Sequence, residues 1–361
     1  MRTFIKHILL IINISFAAAL VISYMSAHIS PAVFVLPAFF GLAFPYLMLV
    51  NLGFIALWIW RLKPEFLIST LVIIIGFHHL QNTIKLSGSK AEANDGSYAV
   101  ISYNLRLFNL LEGKKAESTE QKILDYLKKD GASVICLQEY FVLGSPELKA
   151  AELKKQFGKG TAIHSKFIRG RENRNYGNLI LSKYPIIRRG EVVFPNSSSL
   201  AVFADIKIKD DTVRFYNIHL QSFRLRRMER SFIEEISSVD QKQFYSEVTS
   251  LYRSLRRGFM RRAEESRILN NHIATSGHPV ILAGDFNDTP VSYTYHKLRD
   301  TLEDSWVNSG FGLGYTYRGK YPPNRIDYIL HSPSIENLGF TIIREKHSDH
   351  FPIKASFSFS E

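Results

Sequence analysis

The run Ile281-Leu282-Ala283-Gly284-Asp285-Phe286-Asn287-Asp288 ends an apolar, strand-forming stretch in a carboxylate and, two positions later, an amide. In an extended chain, residues i and i+2 project from one face, so Asp285 and Asn287 form a polar pair mounted on a buried strand. An ordinary strand-to-turn transition looks the same. Four other stretches repeat the design, however: Tyr98 to Asn104, Val134 to Gln138-Glu139, Val213 to His219, and Arg325 to Leu330, which carries Asp327 and is followed by Ser348-Asp349-His350. Carboxylate and amide oxygens of this kind suit a hard cation or the surroundings of a phosphate. They point to Mg²⁺ or Mn²⁺ rather than zinc, which recruits more His and Cys.

In chain order, Asn104, Gln138-Glu139, Tyr176-Gly177-Asn178, His219, Gly284-Asp285-Phe286-Asn287, Arg325-Ile326-Asp327-Tyr328 and Ser348-Asp349-His350 resemble the endonuclease/exonuclease/phosphatase superfamily, the DNase I-like fold. Each string alone is weak, and their order from Tyr98 to the C-terminus carries the resemblance. Pattern by itself supports only an α/β protein with many strands. The resemblance implies a four-layered α/β sandwich, two mixed sheets face to face with helices outside and the active site where strand ends converge.

It also implies roles. Glu139 would be the principal metal ligand, with Asn104 and Asp349 completing the site. Asp285 would orient or deprotonate the attacking water, and Asn287 would hydrogen-bond the phosphate. His350 would contact the scissile phosphate with its imidazole held by Asp327, and His219 would donate to a phosphate oxygen. Tyr176 matches a phosphate-facing position more loosely, with Arg174 near enough to compete. Two general bases stay open, Asp285 or the His350 and Asp327 pair, because a carboxylate or an imidazole can serve once its pKa is tuned. The plainer readings are a core histidine at His219 and a surface carboxylate at Glu139. Arg325 reads as support for the Asp327 strand.

Composition divides the 361 residues sharply. No Asp, Glu, Lys or Arg occurs between Ile8 and Trp60, whereas about 20 apolar residues suffice to cross a bilayer. The expected organisation is a membrane region over 1–84 with two or three transmembrane helices, a linker over 85–96, and a catalytic domain over 97–361. Spans are read as His7 to Ala27, Ala32 to Trp60 and a short third from Phe66 to Leu80. A signal peptide is the alternative for the first, but a second apolar run follows it directly. Arg2, Lys6, Arg61 and Lys63 flank the spans while the loop from Ser26 to Pro31 has no Lys or Arg, which puts both basic clusters on the cytoplasmic side. Three spans then place the catalytic domain on the extracytoplasmic side of what would be a bacterial inner membrane. Two spans would keep it cytoplasmic.

Cys136, the only cysteine, lies inside an apolar run and reads as a buried structural thiol. A formal charge of +12 favours an anionic partner without choosing among nucleic acid, phosphorylated solute and acidic lipid. The stretch from Phe223 to Ala274 mixes Arg224, Arg226, Arg227, Arg230, Arg253, Arg256, Arg257, Arg261, Arg262 and Arg267 with Phe232, Phe244, Tyr245, Tyr252 and Phe259. Helices packed on a sheet with solvated arginines are the simplest account. A surface against anionic lipid is the second, and nucleic-acid binding the third. Partners expected are the lipid bilayer and a phosphate-ester substrate, with nothing pointing to a protein partner.

The expected function is a membrane-anchored Mg²⁺- or Mn²⁺-dependent phosphoesterase working by metal-assisted water attack, a nuclease-type phosphodiesterase first. A phospholipid, phosphoinositide or sugar-phosphate hydrolase comes next, and a catalytically silent membrane-linked binding module last, since one fold serves many substrates.

Overall fold

The computed structural model describes residues 2–88, 97–112, 116–223, 225, 241–319 and 324–359. Most of the expected linker, and Arg224, Arg226, Arg227, Arg230 and Phe232, lie outside them. The chain forms two compact units that do not follow the linear division of the sequence. One comprises Met1–Asn82, Ser222–Ser266 and Thr289–Lys297, the other Thr83–Gln221, Arg267–Asp288 and Leu298–Glu361.

The larger unit is a DNase I-like α/β sandwich. Its strands are β1 (Ile84–Lys85), β2 (Tyr98–Asn104), β3 (Val134–Leu143), β4 (Ala162–Arg169), β5 (Arg174–Ser182), β6 (Ile186–Val192), β7 (Leu200–Ile208), β8 (Asp211–His219), β9 (Val280–Asp285), β10 (Glu303–Asp304), β11 (Gly312–Leu313), β12 (Asp327–His331), β13 (Ile335–Ile342) and β14 (Ile353–Phe359). One six-stranded sheet runs β10-β12-β9-β8-β7-β6, the other β13-β14-β2-β3-β5-β4, and β1 pairs with β11. Pairing is antiparallel except for β2 with β3 and β8 with β9. In each sheet a central parallel pair therefore delivers two strand C-termini to one edge.

Alternation along the strands builds the layers. On β2, Tyr98 and Val100 enter the core between the sheets with Val134 and Cys136 of β3, Val202 and Ala204 of β7, Phe215 of β8 and Ile281 of β9. Ile101, Tyr103, Ile135 and Leu137 face the other way. There they meet Ile123, Leu124 and Leu127 of α6 (Ala116–Asp130) and Leu153 of α7 (Pro146–Phe157). This is the period of two that a strand buried on both faces requires. Cys136 is fully buried, and desolvation pushes its thiol up to about 12, as expected of an inert structural cysteine.

The smaller unit is helical. Its N-terminal part contains α1 (Arg2–Met25), α2 (Leu36–Leu42), α3 (Phe44–Trp60), α4 (Phe66–Ile75) and α5 (Phe77–Gln81). Thr3–Met25 is long and apolar enough to cross a membrane, and α2 with α3 would make a second span bent by 68°. The expected third span is broken at Gly76, where an added Cβ would lie 2.0 Å from the Tyr24 ring. The 10 residues of α4 rise about 15 Å, half of a hydrocarbon core of about 30 Å.

Polar side chains join these helices inside an otherwise apolar bundle. Asn13 Nδ2 donates to Ser69 Oγ at 2.7 Å, Ser69 Oγ to Asn51 Oδ1 at 2.8 Å, and Trp58 Nε1 to Asn13 Oδ1 at 2.9 Å. Such interhelical bonds hold helices together where apolar surroundings supply no hydrophobic drive between them. At one end, Lys6 Nζ lies 2.5 Å from Glu65 Oε1, which puts the basic start of α1 and the α3–α4 connection together. Phe4, Ile8, Ile11 and Ile14 of α1 are exposed. A long helix, α8 (Gln241–Ala274), contributes its residues up to Ser266 to this unit, where Phe39 of α2 stacks on Tyr252 at 5.2 Å and meets Phe259 edge-on at 5.2 Å.

Candidate active site

Register brings the carboxylates together before any side chain is considered. His219 at the end of β8 pairs with Asp285 at the end of β9, and Asp285 pairs on its other side with Asp327 at the start of β12. Gly284 makes this possible. It has φ +147°, and a Cβ there would lie 2.0 Å from the Ile218 carbonyl oxygen, so only glycine lets β9 lie this close to β8. From the facing sheet come Asn104, which ends β2, and Glu139. Glu139 sits in a register shift of β3 between Leu137 and Tyr140 and has φ +49°, an unusual conformation for a side-chain-bearing residue. The bulge re-aims one residue of an otherwise buried strand.

The resulting cluster is compact. Asn104 Nδ2 donates to Asp285 Oδ2 at 2.9 Å, and the same side chain favours the ionised form of the Glu139 carboxyl. His219 Nε2 lies 3.4 Å from Glu139 and 3.9 Å from Asp285. His350 Nδ1 is 2.9 and 3.1 Å from the two Asp327 oxygens, with Nε2 3.8 Å from Asp285 and 3.9 Å from Asp349. Among the described residues, one acidic and imidazole group has ligand atoms all within 4.8 Å of one another, Asp285 with Asp327 and His350. Both Asp327 oxygens face His350 Nδ1, so geometry pairs Asp327 with the imidazole.

The electrostatics follow from burial. Desolvation and then the neighbouring Asp327 raise the Asp285 carboxyl from 3.8 to about 6, against the pull of His350 and His219. Glu139 is also raised, first by desolvation and then by Asp349. For His350, burial disfavours the imidazolium, but Asp327 and Asp285 outweigh it and carry the pKa up to about 10. Four carboxylates, those of Glu139, Asp285, Asp327 and Asp349, thus face His219, His350 and Arg106. An acidic excess in a buried, oxygen-rich setting fits a hard divalent cation.

Two expected residues stand differently. Asn287, with φ +53°, directs its amide hydrogens to Leu220 O (3.0 Å) and Asp285 Oδ2 (3.3 Å), and its backbone N–H to Asp285 Oδ1 (2.7 Å). It braces Asp285, where a hydrogen bond to the phosphate was expected. Tyr176 pairs in register with Phe141, close to the Glu139 bulge, without a hydrogen bond or ion pair to the cluster. Arg325 is a support, as expected. It reaches Asp304 at 2.6 Å and stacks over Trp306 and Tyr328.

Sequence reasoning missed three residues. Arg106 Nε lies 3.1 Å from Asp349 Oδ2. Tyr317 packs edge-on against His350, centroids 5.3 Å apart. Asn217, fully buried on β8, donates to Leu137 O (2.9 Å) and Leu179 O (2.7 Å) of the opposite sheet and accepts from Gln138 Nε2 (2.7 Å). Asn217 was visible as an amide inside an apolar strand, where an unpaired polar group would be costly. Arg106 and Tyr317 left no such signal.

Residues 101–350 match the Endonuclease/Exonuclease/phosphatase family, and residues 6–83 match a Domain of unknown function (DUF8431). The chain belongs to the endonuclease/exonuclease/phosphatase family, whose members are phosphoesterase hydrolases that generally depend on a divalent metal. No curated protein matches it significantly. Among solved structures it is similar to an endonuclease/exonuclease/phosphatase family protein from Bacteroides thetaiotaomicron (17% identity, TM-score 0.54, covering 73% of this chain and 98% of that one). It is also similar to a Bacteroides thetaiotaomicron mannosyl-6-phosphatase (17%, TM-score 0.53, 73% and 100%) and to truncated Caenorhabditis elegans TDP2 (18%, TM-score 0.51, 74% and 100%). At these identities the likeness is one of fold.

Proposed function

We propose that this protein is a membrane-anchored, divalent-metal-dependent phosphoesterase of the nuclease-type phosphodiesterase kind, with residues 1–84 in the bilayer and 97–361 catalytic. The observation that carries the reading is the meeting of Asn104, Glu139, His219, Asp285, Asp327, Asp349 and His350 from both sheets within hydrogen-bonding and ion-pair range. Glu139 would hold Mg²⁺ or Mn²⁺, with Asn104 and Asp349 beside it. The bound ion would polarise a phosphoryl oxygen.

The chain's own groups divide the proton transfers. A carboxyl titrating near about 6 is ionised at neutral pH, so Asp285 accepts the proton of the attacking water. An imidazole held near about 10 is already protonated, so His350 is the donor. As the water oxygen bonds to phosphorus and the bond to the leaving oxygen breaks, His350 Nε2 gives its proton to that oxygen or stabilises the charge on the phosphoryl group. His219 donates to another phosphoryl oxygen, and Asn287 holds Asp285 in place. Tyr176, in register with Phe141 beside the Glu139 bulge, would face the phosphate.

The long apolar helix α1, with its exposed Phe4, Ile8, Ile11 and Ile14, supports anchoring. The matched pairing of Lys6 with Glu65 supports a common cytoplasmic end, which would leave the catalytic part outside a bacterial inner membrane if three segments cross. A second reading, a sugar-phosphate or phospholipid hydrolase, draws on the likeness in fold to the mannosyl-6-phosphatase, with a TM-score of 0.53 beside 0.51 for TDP2.

The test is a substrate panel on the full chain in detergent with Mg²⁺ or Mn²⁺: DNA, RNA, phosphoinositides, sphingomyelin, nucleotides and sugar monophosphates. Cleavage of polynucleotide that is lost in Asp285→Asn and His350→Ala is expected. Turnover confined to monoesters would move the assignment to the second reading, and no turnover on any ester would sink both.

A further inference from the structure

We propose that the N-terminal half of α8 is an interfacial helix that lies on a bilayer rich in anionic phospholipid, arginines among the headgroups and aromatic residues inserted. The inference rests on the anchoring reading above. It begins from an apolar stripe that helix packing does not explain. Tyr245, Val248 and Tyr252, spaced i, i+3 and i+7, fall on one stripe of the helix and are 64%, 39% and 46% exposed, with Phe244 beside them at 37%. On an ordinary surface helix these positions would be covered and the charged ones open.

The charges of the same segment are one-sided. Arg253, Arg256 and Arg257 are exposed, and the single carboxylate between Phe244 and Arg261, that of Glu247, is buried. The open face therefore offers aromatic rings and arginines and no acid. That pairing suits a lipid surface with negative headgroups, where rings sit at the interfacial level and each basic residue adds attraction. Arg262, by contrast, is fully buried over the Phe223 and Phe259 rings and belongs to the helix's packed face.

The neighbour of the stripe gives the occupant. Phe39, stacked on Tyr252, belongs to α2, the short segment that opens with exposed Leu36, is bent by 68° from α3 and is preceded by exposed Val33 and Phe34. A short helix bent away from an apolar span, with apolar residues open around it, is placed where a span meets the headgroups. Tyr252 packs on that helix, which puts the aromatic stripe of α8 at the same level.

The experiment uses the full chain in nanodiscs of phosphatidylcholine, with or without about one-third phosphatidylglycerol. Cys136 is buried, so a single added cysteine takes an environment-sensitive fluorophore selectively. Thr249→Cys reports the stripe without altering it, and Ile14→Cys reports α1. Brominated lipid should quench both labels, the Thr249→Cys label more strongly with phosphatidylglycerol present. R253E/R256E/R257E should weaken that anionic-lipid dependence by about fivefold per charge, and Y245S/V248S should remove the Thr249→Cys quenching while leaving the Ile14→Cys signal. Quenching at Ile14→Cys alone would overturn the proposal and keep the anchor. Quenching at neither site would overturn both. Protection of the Thr249→Cys label by an oligonucleotide but not by lipid would overturn the proposal in favour of a nucleic-acid surface.

Discussion

His350 Nδ1 lies 2.9 Å from Asp327 Oδ2, while its Nε2 faces Asp285 Oδ2 at 3.8 Å. One nitrogen is fixed by a carboxylate across the sheet edge and the other is presented to the reaction. Asp327→Asn should keep the ring roughly in place yet remove the charge that holds its proton. We expect kcat to fall by about 10²–10⁴-fold. In the metal-free protein His350 is raised, so its protonated form is present at neutral pH and lost as pH rises through about 10, and with a cation bound beside these carboxylates the limb should lie at or below that value. In the variant that alkaline limb should move down toward the ordinary histidine range. A pH–rate profile with an unmoved limb would remove Asp327 from this role.

Asp285 carries the opposite cost. Its folded, metal-free pKa is raised from 3.8 to about 6, so its favourable contribution to stability is complete below 3.8 and lost as pH rises through about 6. Near neutral pH the buried charge should be a burden that Asp285→Asn lifts. In chelator at about pH 7.5 the variant should be more stable by about 1–3 kcal/mol, with the difference vanishing near pH 4, while turnover is lost. Thermal unfolding at the two pH values checks this, and a destabilised variant at neutral pH would contradict it.

Chelation should abolish hydrolysis reversibly, with Mg²⁺ or Mn²⁺ restoring it. A bound cation favours the carboxylate form, so the acid limb of the rate profile should lie at or below about 6. Glu139→Gln should raise the metal concentration needed for half-maximal activity by about tenfold or more. Calorimetric titration giving equal affinity for both proteins would take Glu139 out of the ligand set.

In the helical unit, Asn13→Ala strips partners from Ser69 and from the Trp58 indole N–H at once. The expected loss is about 1–2 kcal/mol, the scale of interhelical hydrogen bonds in apolar surroundings. Unfolding of the detergent-solubilised chain should show it, and an unchanged midpoint would mean that the network contributes shape but little stability.

Much of the site was legible because an apolar run ending in a carboxylate, amide or imidazole announces itself locally. Asp285, His219 and Asn104 are found this way. Glu139 was legible in identity but not in conformation, since its bulge depends on how β3 pairs with β5. For Asn287 the sequence implied a contact to phosphate but not the bonds of its amide to Leu220 O and Asp285. Arg106, at the start of a short 3-10 helix, and Tyr317, in an isolated bridge to His350, lie outside the long strands and reach the site only through tertiary contacts. The sandwich followed from motif order, but the grouping of Ser222–Ser266 and Thr289–Lys297 with the N-terminal helices did not, as nothing local in those segments marks it. The Phe66 to Leu80 run already read as short, and the sequence did not show that its helix would break at Gly76, against the Tyr24 ring.

Asn217 acts as a dowel between the two sheets, two residues before His219 on β8. Because its amide grips β3 and β5 from β8, a slip of either layer must first tear those bonds. Parting the two layers therefore costs these buried bonds as well as the apolar contacts between the sheets.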